Sequence, residues 1–515
     1  MNWLMHLPAL CIAIPLFFAF LTPLVEKFFG KARNIVVFIG ILAAVLVVLL
    51  LSFNVFQTGT AVYTMGSSEP GLTLPSGMAL PVRIIFEIDA FSAMMAGMAG
   101  IVSLLAIIYS FKFLKEKELG KFYSLAFVMF AGLIGLLFTG DLFTMFVFFE
   151  VLSISSVALI AFWKHKKEAP EAAFKYLLVS SVASLFLLFS IGLLYGQYGV
   201  LNLAGLAVSL KFGFIDVVAL GLLVTAFAMK AGSAPMHFWL PDAYGAAPTP
   251  ITVMLGASTL ASLYALIRIL FSVFGAFPLM NIVAWLLIVL GIVSMFVGVT
   301  MALKQDDIKR LIAFTAVSQT GFILMAIGAS LAMANTSLGV TYGVNALKGG
   351  LFHLLNHGLY EALLFMSAGA IVFATGKRKL SELSGLARTM PYTTIFFLLG
   401  ACAIAGIPPL NGFASKILIY ESVYAFNPLL TVLALVASVL TLVPFVKAFS
   451  SAFLGPELAE LKKTREVPFS MLFGMFVLAV IILFIGLFPE VIVELIVEPA
   501  AMALASQTQY IGGIM

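Results

Sequence analysis

LLVTAFAMKAGSAPMHFWLPDA, residues 222–243, is an apolar run with the character of a helix that carries one lysine, Lys230, and then breaks. Gly232, Ser233, Ala234 and Pro235 follow directly. A proline inside a helix removes a donor and clashes with the preceding turn, freeing carbonyls that need water or side-chain partners. A cation beside such a break suggests a hydrated ion site within an apolar medium. GIPPLNGFASKILIYE, residues 406–421, repeats the device: Gly406, Pro408, Pro409 and Gly412 precede Lys416.

The medium is a bilayer. Of 515 residues, 63% are hydrophobic and 10% charged, and the mean hydropathy is +1.15; a soluble domain carries about 25% charged residues. The net charge of +5 comes from 28 basic and 23 acidic residues, with the basic ones clustered in loops, which excludes a nucleic-acid surface. Cys11 and Cys402 lie far apart in apolar runs with no CxxC, so neither a disulfide nor an iron–sulfur or metal site is expected, and no cofactor. The first apolar segment lacks a basic leader and is long for a signal core, so it reads as a retained helix.

A helix crossing the hydrocarbon core needs about 20 apolar residues. Such segments fall at roughly 3–25, 34–56, 88–111, 122–139, 143–162, 172–195, 214–234, 250–274, 281–303, 309–333, 345–374, 392–425, 428–454 and 468–495. The expected fold is therefore all-α and integral to the membrane, with about fourteen spans. Basic residues alternate between loops. Lys27, Lys31 and Arg33 follow span 1; Lys112, Lys115, Lys117 and Lys121 follow span 3; Lys164, Lys166 and Lys167 follow span 5. Lys304, Lys309 and Arg310 lie between spans 9 and 10; Lys377, Arg378, Lys379 and Arg388 precede span 12; Lys462, Lys463 and Arg465 precede span 14. The other loops hold only Arg83 and Lys211. The positive-inside rule then puts both termini outside, in a multi-pass prokaryotic cell-membrane protein. The one sizeable soluble stretch, 57–87, is too small and too rich in Gly, Pro, Ser and Thr for a catalytic domain. Four regions are expected: 1–121, spans 1–3 with that external loop; 122–274, a first five-helix unit; 275–454, a second; and 455–515, a loop and span 14. An odd number of helices per unit inverts the second unit, spans 9–13, relative to the first, spans 4–8. Broken spans 7 and 12 then occupy matching places, a pattern found in transporters with midplane sites.

An ionisable group at bilayer depth costs at least about 2.5–3.5 kcal/mol, so each needs a reason. Glu150 in FTMFVFFEVLSISS, Lys230, Glu361 in LFHLLNHGLYEALLF and Lys416 stand out. Desolvation helps a buried lysine give up its proton and a nearby carboxylate opposes that, so a Glu150–Lys230 pair that closes and opens would take up and release a proton. The alternative is a fixed salt bridge pinning span 5 to span 7. His353, His357 and Glu361 fall at i, i+4 and i+8 on span 11, with Lys348 near its start. The stripe suits a proton relay, since imidazole titrates near neutrality. A metal site is the weaker reading, because HxxxH is common by chance and no HExxH occurs; satisfied buried polar residues are the third. His237, Trp239 and Asp242, after the span 7 break, either line the approach to Lys230 or bond the freed backbone. Arg268, Lys348, Glu421 and Lys447 lie nearer span ends, where long side chains snorkel and serve structure. The KQDDIKRL loop reads as topological charge and helix capping.

Together, KAGSAPMHFWLPDAYGAAPTPIT (230–252), ALKQDDIKRLIAFTAVSQTGF (302–322), FHLLNHGLYEALLFMSAGAI (352–371) and GIPPLNGFASKIL (406–418) resemble the antiporter-like subunit family. That family comprises the large membrane subunits of complex I, their counterparts in energy-converting membrane-bound hydrogenases, and the A and D subunits of Mrp-type antiporters. The resemblance covers nearly the whole chain. It implies inverted five-helix repeats, a line of ionisable groups across the membrane middle, and a proton-translocating subunit, with sodium exchange in the Mrp case. The implied partners are other membrane subunits of one complex, further antiporter-like subunits among them, together with protons, sodium and the lipid bilayer. By this resemblance Glu150 matches the span 5 glutamate, Lys230 the span 7 lysine and Lys416 the terminal span 12 group, while His237 and His353 or His357 match motif histidines. Two positions depart. GASTLASLYALIR places Leu260 where many members have a lysine, and Glu361 stands where a lysine often follows the histidine. With the sequence ending soon after span 14, a long lateral helix is not expected, so a middle D-type subunit or its hydrogenase counterpart fits best.

Overall fold

The computed structural model describes residues 3–66, 83–116 and 119–512; Lys117 and most of the external loop, 67–82, lie outside them. The chain opens with α1 (Leu7–Phe29), α2 (Arg33–Thr58) and α3 (Ala90–Phe113). Between α2 and α3, β1 (Ala61–Thr64) and β2 (Ile85–Ile88) pair antiparallel, so the two ends of the external loop form a ribbon. Then come α4 (Gly120–Phe138), α5 (Leu142–Ile160) and α6 (Glu168–Tyr198). A short α7 (Leu203–Ser209) leads to α8 (Phe214–Lys230), which stops and resumes as α9 (Trp239–Ala246). α10 (Thr249–Arg268), α11 (Met280–Lys304), α12 (Ile308–Met333) and α13 (Val344–Thr375) follow. After one turn, α14 (Leu386–Thr389), a second split helix runs as α15 (Pro391–Ala405) and α16 (Asn411–Phe426), then α17 (Pro428–Phe453) and α18 (Phe469–Leu487). Twelve helices among the described residues are long and apolar enough to cross a membrane, and the segments expected as spans 7 and 12 are the divided ones.

The helices begin where short polar side chains stand ready to accept from the first turn. Asp89 accepts from the Ser92 amide at 2.9 Å, Asp141 from Thr144 at 2.6 Å, and Asp307 from Lys309 and Arg310 at 2.9 and 3.1 Å. The Asp307 cap bears out the capping role read from the KQDDIKRL loop. Lys309 goes further: its ammonium is buried and donates to the Ala247 carbonyl at 2.7 Å, closing the end of α9.

The basic-rich loops meet one another at one end of the bundle. Glu26 accepts from the Leu119 and Gly120 amides, Trp163 donates to Glu116, and Arg378 pairs with both Asp307 and Glu168. Lys377 pairs with Glu460 there as well. At the other end Gly140 donates to Ile85, Asn202 to Gly140, and Gln507 to Ser272. His6 meets Tyr63 at this basic-poor end, where Tyr510 is also buried, so both described ends of the chain lie on that face.

Two expectations change. Arg268 does not snorkel: it is 1% exposed and holds Asp89 through two 2.6 Å hydrogen bonds, because the polar start of α3 reaches the end of α10 and offers a carboxylate nearer than water. The last expected span ends at Leu487, where Phe488 and Pro489 interrupt it. Beyond it α19 (Pro489–Ile492), a π-helical turn and α20 (Glu498–Ala505) turn back over α3 and α13, with Glu498 paired to Lys348 at 2.7 Å, and α21 (Gln507–Gly512) follows.

α10 is buried on every side, which makes it the axis of the bundle. α11 and α12 approach through small residues: a Cβ added at Gly298 would lie 2.5 Å from the Ser318 backbone nitrogen, and one at Gly321 would lie 2.4 Å from the Gly291 carbonyl oxygen. With no hydrophobic drive between helices in lipid, such close backbone packing is what holds them. Gly298→Ala should therefore lower stability by about 1–3 kcal/mol. Gly192→Ala, on α6 with nothing within 4 Å of the added carbon, should be neutral or slightly stabilising; thermal unfolding in detergent reads both.

Candidate functional site

The two breaks are built alike. Gly232 and Gly406 adopt φ of +66° and +81°, a backbone region only glycine enters freely, and each ends its half-helix. The first break is tied to α11 by the Ala234 amide donating to Ser294 Oγ at 2.9 Å; the second is tied to α13 by Asn356, which donates to the Asn411 carbonyl at 2.9 Å and accepts from the Asn411 amide group at 3.0 Å. Each lysine sits at the carbonyl end of a half-helix, where the macrodipole favours a cation. Lys230 is the last residue of α8; Lys416 reaches back from α16 to donate to the Ile404 carbonyl at 2.8 Å and to Ser438 Oγ at 3.0 Å.

Lys230 Nζ donates to Ser180 Oγ at 2.8 Å and Ser153 Oγ at 3.0 Å and lies 5.0 Å from the centre of the Phe149 ring. Glu150 is half-buried and accepts from Ser184, one turn along α6 from Ser180. The Glu150–Lys230 pair that the sequence reading has closing and opening is not closed in this structure: Glu150 bonds Ser184 and Lys230 bonds Ser180, one turn apart on α6. A narrow cavity of about 10 Å³, the size of a single water position, adjoins Lys230 and is also lined by Ser258, Thr259 and Ser262 of α10.

The line continues across the axis. Thr259 hydrogen-bonds the Tyr244 hydroxyl at 2.6 Å. Gly256, one turn earlier, faces Glu361 so closely that an added Cβ would lie 3.2 Å from its Oε2. Glu361 Oε2 lies 3.4 Å from His357 Nε2; Glu361 Oε1 and His357 Nδ1 are buried without a hydrogen-bond partner among the described residues. His353 contacts Ser415 Oγ at 2.9 Å and Gln319 Oε1 at 3.2 Å, with the Tyr360 hydroxyl at 3.4 Å. Phe322 then lies between His353 and Lys416, 5.8 Å from the imidazole and 4.7 Å from the ammonium. Lys230, His353, His357, Glu361 and Lys416 are all buried. Among the described residues no group of three or more His, Cys, Asp or Glu side chains converges as a metal site.

The access candidates fall elsewhere. Asp242 is clasped by Lys175 at 2.8 Å and Arg310 at 2.6 Å, beside Glu168, Glu171, Asp307 and Arg378, around a charged cup of about 180 Å³ at the basic-rich end. His237 is half-buried against Phe314, its Nδ1 without a partner among the described residues. Lys348 is occupied by Glu498 at the opposite end of the bundle.

Residues 139–441, more than half of the chain, match the family described as NADH:quinone oxidoreductase/Mrp antiporter, TM, and residues 75–123 match the N-terminus of complex I chain 5. The chain belongs to this antiporter family. Among its relatives, the N subunit of the NADH-quinone oxidoreductase of Desulforudis audaxviator is 32% identical over 96% of this chain and 98% of its own. The D subunit of the Na(+)/H(+) antiporter of Alkalihalophilus pseudofirmus is 33% identical over 90% and 89%. Among solved structures, the Mrp complex of Dietzia sp. DQ12-45-1b contains a chain that superposes with a TM-score of 0.86 at 27% identity, and the archaeal membrane-bound sulfane sulfur reductase one of 0.85 at 29%, each over 99% of both chains.

In this antiporter-family chain the two departures from the expected pattern are neighbours. Leu260 packs against Gly358 of α13, where an added Cβ would lie 3.1 Å from its side chain, and one turn away Gly256 leaves the room that Glu361 fills. The serines at 153, 180 and 184, Thr259, Tyr244, Gln319 and Ser415 were not singled out from sequence. Their signal was there in part, since Ser180 and Ser184 are one turn apart in an apolar helix and Ser153 is one turn from Glu150. Asn356→Leu, which strands the polar groups of Asn411 at the second break, should cost about 1–3 kcal/mol, read as a lower unfolding temperature in detergent.

Proposed function

We propose that this chain is the proton-translocating, antiporter-like subunit of a multisubunit membrane complex, with Glu150, Lys230, Glu361, His357, His353 and Lys416 as its proton-handling groups. The observation that carries this reading is the run of polar side chains, from Glu150 and the α6 serines to Lys416, through the buried middle of a protein that otherwise packs apolar residues there. Buried ionisable groups at that depth are costly and serve as proton or ion sites in pumps and transporters. Waters would bridge the gaps at the Lys230 cavity and the unpartnered atoms of Glu361 and His357, since buried polar atoms seek partners. Lys230 and Lys416 exchange protons with those waters, while Glu361 and the histidines carry the proton between the two half-sites.

The relatives named for NADH-quinone oxidation and the reductase-complex neighbour favour a redox-driven assembly, such as an energy-converting hydrogenase or a complex I-like oxidoreductase. No redox centre is assigned to this chain; coupling would reach it as a conformational or electrostatic change from a neighbouring subunit, shifting populations at the Glu150 end. The 33% identity to the D subunit of a Na(+)/H(+) antiporter favours the second reading, exchange of sodium for protons in an Mrp-type complex. In either case the basic-rich end faces the cytoplasm of a prokaryotic cell and both termini lie outside.

Lys230→Met, Glu150→Gln, Glu361→Gln and Lys416→Met should each leave the complex assembled, as judged by co-purification of its subunits, and reduce proton translocation in vesicles at least about ten-fold, the loss that about 1.4 kcal/mol produces. A scaffold would behave oppositely: assembly would fail first, and any complex that formed would transport normally.

A further inference from the structure

One face of α10 lines the Lys230 cavity, and its opposite face carries a separate polar cluster toward the basic-poor end. Ser262 lines that cavity. Two residues on, the Tyr264 hydroxyl meets Ser92 Oγ at 2.7 Å and the Leu137 carbonyl at 2.9 Å. Arg268 Nη2 reaches both that hydroxyl, at 3.3 Å, and Ser92, at 3.2 Å, while its fork holds Asp89.

Beside this cluster lies Glu87, two residues before Asp89 on β2. Glu87 is 1% exposed, and neither of its carboxylate oxygens has a hydrogen-bond partner among the described residues. Asp89 already occupies the guanidinium, so the pair leaves Glu87 as a second, surplus acid. Tyr510 of α21 stacks on Arg268, with 5.1 Å from the guanidinium carbon to the ring centre, and lies against Glu87 as well. On the other side the backbone of Gly140 covers it, an added Cβ there lying 3.3 Å from Glu87 Oε2. Asp141 follows, its Oδ2 also buried and without a partner among the described residues. Tyr63 of β1, bonded by His6, and Arg83 just before β2 are further titratable groups at the ribbon.

A carboxylate kept for structure is closely paired when buried, whereas this one has the Tyr510 phenol against it and leaves the guanidinium to Asp89. We propose that Glu87 is a proton-exchange group on the basic-poor side of the first half-site: it takes a proton onto a carboxylate oxygen from water on the inner side and releases it to water at the basic-poor face, with Tyr510 as its cover. Burial pushes the Glu87 carboxyl up to about 8, which Tyr510 and Arg268 partly oppose and Asp89 reinforces, and it pushes Asp141 up to about 6. Glu87 is accordingly protonated at neutral pH and ionises as the pH rises through about 8.

The proposal rests on the chain being a proton translocator, and the test separates the two. In infrared titrations of the purified complex, wild type should lose a carboxyl C=O band as the pH passes about 8, and Glu87→Gln should lack that band. Tyr510→Phe should keep the band and move its midpoint upward, since the phenol stabilises the ionised form. In vesicles, Glu87→Gln should reduce proton translocation at least about ten-fold and abolish its dependence on external pH near 8. Wild-type transport by Glu87→Gln, or identical infrared titrations of the two proteins, overturns the proposal. If Glu87→Gln fails to assemble, an unchanged midpoint in Tyr510→Phe overturns it instead. Normal transport by Lys230→Met and Glu150→Gln would sink the translocation reading, whereas loss of transport in those two with none in Glu87→Gln removes only the outward port.

Discussion

A bilayer core supplies no hydrogen-bond partners, so every polar group inside it must be satisfied by the protein or by water that the protein admits. That constraint explains why the two broken helices are the best-defended places in the chain. At each break, side chains bind the freed backbone: Ser294 of α11 and Trp239 of the resumed half-helix at the first, Ser438 of α17 and Asn356 of α13 at the second. Each lysine sits where the carbonyl end of a half-helix lowers the cost of its charge. The breaks and the cations are therefore one feature. A helix that is interrupted needs a donor at its open end, and an ammonium at bilayer depth needs acceptors.

The same constraint decides what could be read from sequence. Lys230, Lys416, Glu150 and Glu361 were legible because a charge in an apolar run is rare and must have a cause, and the breaks were legible because glycine and proline mark them. The alternation of basic loops was legible too, and the contacts among Glu26, Trp163, Arg378 and Glu460 gather those loops at one end. The connecting groups were not. Serine and threonine are ordinary in membrane helices because they can bond their own backbone one turn back, as Ser155 and Thr300 do here. Nothing local distinguishes those from Ser153 and Ser180, which face an ammonium. Arg268 was misjudged for a different reason: its partner Asp89 is 179 residues away, so proximity to a helix end looked like access to solvent. Glu87 escaped notice because it belongs to a stretch that reads as loop, and its burial depends on Gly140 and Tyr510, distant in sequence.

The relation between Gly256, Leu260 and Glu361 bears on how the two half-sites communicate. A lysine at position 260 would extend toward α13 where Leu260 now packs on Gly358, and it would bring a third cation between Lys230 and Lys416. In a medium of low dielectric, like charges in such a row oppose one another's protonation, so each site is loaded at the expense of its neighbour. Glu361 inverts the sign of the middle position. An ionised carboxylate between two ammonium groups is attractive to both, and a protonated one is neutral to both. On the proton-translocation reading, the centre of this chain is then a well rather than a barrier for a positive charge crossing from α8 to α16.

A well also sets a requirement. A proton that falls onto Glu361 must be able to leave, and a carboxylic acid buried beside a single acceptor holds its proton unless a second base is within reach. On the proton-translocation reading His357 would be that base, 3.4 Å away and with its other nitrogen unpartnered among the described residues. His353, one turn earlier, turns instead toward Ser415 and Gln319, on the side of Lys416. The two imidazoles thus have different partners: one faces the carboxylate and the other faces the second break, with Tyr360 close to both. Spacing of i and i+4 on α13 is what keeps both on the same stripe while separating their partners by one helical turn. The histidine pair is in this sense the counterpart of the α6 serines, which bond Lys230 and Glu150 at positions one turn apart. The difference is chemical, since a hydroxyl can only pass a proton along a hydrogen bond, whereas an imidazole can hold one between moves.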